Sequence, residues 1–149
     1  MKKTLFSLTI IMLIASISYS DYIEIGTGTY HTANIPFYGY RDYGWSRVIY
    51  LQSEIGAAID ITKISYCLSN TVENYETNNQ KIYMKHTTDT IFFSNDYEDT
   101  STYQEVYNGT INWDGSGWFD IILDTPFNYN GSDNLVIYYQ NHDGDRAIA

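Results

Sequence analysis

Beyond residue 20, the apolar residues of this chain recur at every second position, and no stretch shows the spacing of an amphipathic helix. Ile64, Tyr66 and Leu68 alternate with polar neighbours, and residues 119–124 repeat the pattern. Because successive side chains of a strand point to opposite sides, this alternation predicts half-buried β-strands. We therefore expect a chain built from strands, with at most a short turn of helix within residues 53–58.

Turn-forming residues separate these segments at regular intervals. We predict strands at residues 22–26, 47–51, 59–68, 80–86, 103–113, 118–124 and 135–140, and loops at 69–79 and 95–101. Asp114-Gly115-Ser116-Gly117 is typical of a hairpin turn between neighbouring strands. The pattern predicts an all-β fold, an antiparallel β-sandwich of the jelly-roll kind.

The first 20 residues have the features of a secretory signal peptide rather than of a folded element. Lys2 and Lys3 are followed by an apolar stretch at residues 4–16, and small residues precede a cleavage point before Asp21. The apolar stretch is shorter than the roughly 20 residues that span a bilayer. We expect residues 1–20 to be removed on export and residues 21–149 to form the mature module, without membrane insertion.

The charge balance restricts the partners of the module. The chain has 8 basic and 18 acidic residues; two of the basic ones lie in the signal peptide, so the mature net charge is −12. Such a negative surface repels nucleic acid and anionic lipids, and it favours the binding of cations such as calcium. Cys67 is the one cysteine, so no internal disulfide forms and the core must hold the domain together.

The sequence ends at residue 149, soon after the strand predicted at 135–140. No closing strand follows, and a sandwich that stopped here would expose an edge. We therefore expect the module at 21–149 to be truncated, lacking its C-terminal strands, as the N-terminal piece of a longer polypeptide.

Several segments, in order, resemble one known module. They are IGTGT at 25–29, IYLQSEIG at 49–56, ITKISY at 61–66, VYNGT at 106–110, GWFDIILDTPF at 117–127 and YNGSDNLVI at 129–137. Together they resemble the N-terminal β-sandwich module of secreted and surface proteins of Bacteroidetes-like bacteria, many of them exported by the type IX secretion system.

The resemblance implies a non-catalytic accessory domain of a secreted or cell-surface protein, with an adhesion or ligand-binding role. Its partners would be downstream domains of the same polypeptide, such as a protease or a sorting domain, and a glycan or surface protein. The alternative is a structural spacer beside a secreted enzyme, and a hydrolase is the least favoured of the three.

Aromatic residues are concentrated between residues 30 and 50, among glycines and charged residues. Sugar rings stack their C–H faces on aromatic rings, and the same amphipathic rings suit protein recognition. The alternative, which we favour, is that the rings fill the core and cover one edge of a sheet. The candidate ligand-binding residues are Tyr38, Tyr40, Arg41, Tyr43 and Trp45.

A second candidate site lies near the C-terminus. Asn141, Asp143 and Asp145 alternate along the chain and could direct three oxygens to one calcium ion, with Gly144 allowing a tight turn. The spacing of an EF-hand is not met, and an ordinary acidic turn is the favoured alternative. Beyond this weak calcium site we expect no cofactor.

Catalytic motifs are missing from the sequence. His31, His86 and His142 are scattered without metal-ligand spacing, and Cys67 has no flanking signature of a nucleophile. There is no phosphate-binding loop, serine elbow or zinc motif. We therefore expect the module not to be an enzyme.

Overall fold

The computed structural model describes residues 22–26, 36, 41–94 and 97–145. Four strands, β1 (Gly44–Tyr50), β2 (Ile59–Thr87), β3 (Gln104–Tyr129) and β4 (Asn134–Asn141), form one antiparallel sheet in the order β1-β4-β2-β3. A single helical turn, α1 (Gln52–Ile55), follows β1, and a 3-10 turn (Thr100–Thr102) precedes β3. The prediction of an antiparallel all-β fold is confirmed.

Strands β2 and β3 pair along almost their whole length and form a long ribbon, from Ile59 opposite Tyr129 to Met84 opposite Gln104. The ribbon bends back on itself near its middle, where the register slips twice between residues 68 and 75. The Gln104 side chain donates to the carbonyl oxygen of Pro126 at 2.9 Å, 22 residues away in the same strand. The two ends of the ribbon therefore lie against each other.

The prediction of a hairpin turn between two strands at residues 114–117 was wrong. These residues lie inside β3, where Gly115 pairs with Val72 and Gly117 with Leu68. Both glycines have a positive φ, which suits a sharp change of direction, so the turn chemistry was identified correctly. It connects two halves of one strand instead of two neighbouring strands.

Other boundaries differ as well. Residues 69–79, predicted as a loop, continue β2, and the two strands expected on either side are one strand. Two asparagines with positive φ, Asn74 and Asn79, mark irregularities within it. The strand predicted at residues 22–26 is not formed, and that segment is exposed.

The core lies between the two ends of the ribbon, on the face that the alternation predicted. Ile82 and Met84 are fully buried, and Ile121 and Leu123 meet them from the other end. The inner face of β4 joins this core through Leu135, Ile137 and Tyr139. Because the two facing layers belong to one continuous sheet, the more detailed jelly-roll topology stays a prediction.

The outer face of β4 is buried too, although alternation alone would leave it in solvent. Val136, Tyr138 and Gln140 lie on that face and are almost fully buried. The connection between β2 and β3 crosses over them; we call residues 88–103 the strap, described at 88–94 and 97–103. The strap gives the sheet a second, aromatic packing layer on its outer side.

Candidate ligand-binding face

In the antiparallel register of β1 and β4, two outer-face residues of β1 lie directly opposite outer-face residues of β4. Trp45 pairs with Gln140, and Arg47 pairs with Tyr138. Paired residues of an antiparallel sheet share one face, so all four side chains belong to the surface that the strap partly covers. Trp45 stands at the open end of this surface, where the exposed fraction of its side chain and backbone is 37%.

The ring of Trp45 is held by two tyrosines. Its centroid lies 5.9 Å from that of Tyr138 below it, and 6.5 Å from that of Tyr97 of the strap in an edge-to-face geometry. Tyr97 is 60% exposed, and Tyr43, which precedes β1, is 67% exposed. We call Tyr43, Trp45 and Tyr97 the aromatic face. All three rings are exposed, and the contacts among Trp45, Tyr97 and Tyr138 fix the position of the Trp45 ring, as a stacking surface requires.

A chain of polar side chains runs beneath the aromatic face. The Nε2 atom of His142 lies 3.0 Å from Oε1 of Gln140, and Nε2 of Gln140 donates to the hydroxyl oxygen of Tyr97 at 2.7 Å. Since Oε1 can only accept, Nε2 of His142 carries the hydrogen in this arrangement. The chain fixes the position of the Tyr97 hydroxyl group.

Charged residues fasten the strap to the sheet. Arg47 donates to the carboxylate of Glu98 and to the carbonyl oxygen of Ser94, and Lys85 donates to the other oxygen of Glu98. Burial tends to raise the pKa of Glu98, but the hydrogen bonds from Lys85 and Arg47 outweigh it, and the pKa lies below its ordinary value. Glu98 is therefore an anion that binds both cations.

Aromatic rings cover the same two cations. The Arg47 guanidinium lies 4.2 Å from the centroid of Phe92, and Nζ of Lys85 lies 4.1 Å from that of Tyr103. Burial, followed by the nearby carboxylate of Glu98, raises the pKa of Tyr103 far above its ordinary value, so its hydroxyl stays neutral. The cations are thus held by charge and by ring contacts together.

A half-open cleft of about 200 Å³ lies between the strap and the sheet. Arg47, Lys85 and Glu98 contribute its polar lining, and Phe92 and Phe93 contribute apolar surface. This volume is below the roughly 300 Å³ at which pockets for drug-sized ligands begin. The cleft could admit a small substituent of a ligand but not a whole sugar ring with its neighbours.

The residues predicted as a ligand-binding cluster are only partly described. Tyr43 and Trp45 are exposed on the aromatic face, and Arg41 is exposed just before them. Tyr38 and Tyr40 lie outside the described residues. The carbonyl oxygen of Arg41 accepts a hydrogen bond from Nδ2 of Asn141 at 3.2 Å, so the structure joins the aromatic segment to the predicted calcium segment.

Two of the three residues predicted to bind calcium, Asn141 and Asp143, use a side-chain oxygen in hydrogen bonds within the protein. Oδ1 of Asn141 accepts from the side chain of Gln80 at 2.6 Å and from the amide of Asp143 at 3.0 Å. Oδ1 of Asp143 accepts from the amide of Asn78 at 2.7 Å. These bonds close the turn after β4 and show a structural use for the residues; calcium binding there stays a prediction.

The sequence did not identify Tyr97, Glu98 or Gln140 as candidate site residues. Tyr97 and Gln140 are 43 residues apart, and Arg47 and Glu98 are 51 apart. The only local signal was the acidic composition of the predicted loop at 95–101, which gave no partner. The path of the strap over the outer face decides these contacts.

Within the described residues, no group of three or more His, Cys, Asp or Glu side chains could hold a metal ion. Cys67 is exposed and lies opposite Trp118 in the register of β2 and β3. Across the described ranges, no helix has the length and apolar character needed to cross a membrane.

Comparison of the chain with protein-family models, with curated proteins and with solved structures finds no match. The resemblance to a Bacteroidetes surface module therefore stays an expectation.

Proposed function

We propose that this chain is an exported, non-catalytic accessory module of a secreted or cell-surface bacterial protein, and that it binds a glycan or protein ligand. The observation that carries the proposal is the setting of Trp45. Its ring is exposed, yet it is braced by Tyr97 and Tyr138. Binding to such a pre-ordered ring loses little conformational entropy, which favours affinity.

The test uses residues 21–149 produced without the signal peptide. Binding to a glycan array and to surface-protein extracts is measured for the native sequence, for Trp45→Ala and for Trp118→Ala. Trp118 is a matched control because it is a second exposed tryptophan, 62% exposed, and lies beside the bend of the ribbon, where it pairs with Cys67 of β2. Loss of binding with Trp45→Ala alone supports the proposal, and equal binding by all three proteins contradicts it.

Export is tested separately. Mass spectrometry of the protein from the culture medium or cell surface of a bacterial host should find a mature chain that begins at Asp21. A protein retained in the cytoplasm with residues 1–20 intact would contradict the export part of the proposal.

A structural spacer beside a secreted enzyme is the second candidate, and one surface favours it. Trp118 and Ile122 are 62% and 72% exposed on the outer face of the ribbon, where Lys63 and Asp120 form an ion pair at 2.7 Å. A neighbouring domain could cover these side chains. In a polypeptide that joins this module to such an enzyme, Trp118→Asp together with Ile122→Asp would increase cleavage by protease between the domains, whereas Trp45→Ala would not.

A further inference from the structure

We infer that the ligand of the aromatic face is an uncharged saccharide, and that the hydroxyl group of Tyr97 donates a hydrogen bond to it. This inference rests on the proposed binding function and names its ligand class. Three features of the face lead to it: the exposed rings, the polarity of the chain that ends at Tyr97, and the pairing of the nearby charges.

The rings provide the stacking surface. Tyr43, Trp45 and Tyr97 are all exposed, and the near-perpendicular contact of Trp45 with Tyr97, at an interplanar angle of 85°, forms a corner between two rings. A pyranose ring presents a patch of C–H groups on one face and hydroxyl groups around its rim. It can stack on one wall of such a corner while its rim meets the polar edge of the other.

The polarity of the side-chain network sets which hydrogen-bonding group Tyr97 offers. Its oxygen accepts from Nε2 of Gln140 at 2.7 Å, and Gln140 in turn accepts from His142. With that lone pair occupied, the Tyr97 hydroxyl still has one hydrogen to donate, and the residue as a whole is 60% exposed. Tyr97 therefore offers a positioned donor, suited to a hydroxyl, ring or acetamido oxygen of a sugar.

The charges argue against a charged ligand of either sign. Arg47 and Lys85 are bound to Glu98, and Lys81 lies 3.9 Å from Glu105, so these cations of the outer face are already paired. The net charge of −12 of residues 21–149 opposes an approaching anion. A cationic ligand on Trp45 would meet the guanidinium of Arg47, which lies 5.7 Å from the centroid of that ring.

The experiment titrates residues 21–149 with neutral oligosaccharides of glucose, xylose, galactose and N-acetylglucosamine, and with polygalacturonate and a sulfated glycan as anionic probes. The variants are Tyr97→Phe, which keeps the ring and removes the donor, and Tyr43→Ala, which removes an exposed ring. Trp118→Ala is the control, and thermal melting confirms that each variant is folded.

We expect at least one neutral oligosaccharide to bind with little dependence on salt. Tyr97→Phe should weaken that binding about fivefold, the usual effect of one hydrogen bond, and Tyr43→Ala should weaken it at least as much. Trp118→Ala should leave it unchanged. Binding of anionic glycans alone, or a Tyr97→Phe variant that binds as well as the native protein, would overturn the inference.

The outcomes also separate this inference from the proposed function. A protein partner captured in a Trp45-dependent manner, with no saccharide bound, would keep the binding function and reject the saccharide. The absence of any ligand that depends on Trp45 would reject both.

Discussion

The backbone amide of Asn108 donates a hydrogen bond to Oδ2 of Asp124 over 2.8 Å, although the two residues are 16 positions apart in the same strand. A straight strand would separate them by about 50 Å. The contact therefore joins the two ends of the bent ribbon at its edge. It satisfies a strand amide that no neighbouring strand pairs with in the described sheet.

Asp124→Ala should weaken the closure of the ribbon. Loss of one hydrogen bond at an exposed carboxylate is expected to lower the free energy of unfolding by about 0.5–1.5 kcal/mol. Urea denaturation followed by tryptophan fluorescence measures it. Glu73→Ala, at an exposed position of β2, is the control, and a loss of equal size there would mean that the Asn108 contact contributes nothing.

Glu98→Gln should loosen the strap, because the amide cannot serve both Arg47 and Lys85 as an anion does. Hydrogen bonds to charged groups contribute more than neutral ones, and we expect a loss of about 1–3 kcal/mol in the free energy of unfolding at neutral pH. Hydrogen exchange of the strap amides should also accelerate. The control, Glu76→Gln, replaces an exposed carboxylate of β2 and should leave both quantities within experimental error.

The same carboxylate gives a pH dependence of known sign. The folded-state pKa of Glu98 lies below its ordinary value near 4.5, so its ion pairs stabilise the fold fully above that pH. The stabilisation disappears as the pH falls through the lowered value. The stability difference between the native protein and Glu98→Gln should thus be constant from neutral pH to about pH 5 and should shrink below about 4.5. A difference that grows on acidification would contradict this assignment.

Ile82→Ala and Ile122→Ala form a matched pair that tests the inner and outer faces of the ribbon. Ile82 is fully buried and Ile122 is 72% exposed. Truncation of Ile82 should cost about 2–5 kcal/mol through lost burial and a residual cavity. Truncation of Ile122 should stay within about 0.5 kcal/mol. Chemical denaturation of both variants checks the pair, and comparable losses would refute the assigned faces.

Gly131→Ala and Gly115→Ala separate backbone strain from steric overlap. Both glycines have a positive φ, +73° and +82°. A Cβ on Gly131 would overlap the backbone nitrogen of Ala58 and come within 2.9 Å of its Cα, whereas a Cβ on Gly115 would meet nothing within 4 Å. We expect a loss of about 1 kcal/mol for Gly115→Ala and about 2–4 kcal/mol for Gly131→Ala, measured by thermal melting.

The sequence predicted the faces of the strands better than their connections. The alternation around residues 82–84 and 119–123 identified inward side chains correctly, because the side-chain period of a strand is a local property. It could not show that residues 114–117 turn the chain within one strand. Turn chemistry specifies a change of direction, and the identity of the strand alongside depends on contacts distant in sequence.

The candidate site likewise contains residues that the sequence indicated and residues that it did not. Tyr43 and Trp45 are exposed, and their glycine-rich neighbourhood was a local signal; ligand binding by that segment stays a prediction. Tyr97 reaches the face only because the strap crosses Tyr138, a contact between residues 41 positions apart that no spacing in the sequence indicates. Contacts between side chains that a crossing segment brings together can be recognised only once the tertiary structure is known.

The continuous pairing of β2 with β3 also has a kinetic consequence. The pair Met84–Gln104 closes the shortest loop, which consists of the strap and the last residues of β2. The pair Ile59–Tyr129 at the other end of the ribbon encloses most of the folded chain. Loop-closure entropy grows with the number of enclosed residues, so folding can begin at the strap end and zip toward the other end, adding a short increment at each step. A ribbon of partners distant in sequence thus becomes accessible through a series of short loop closures.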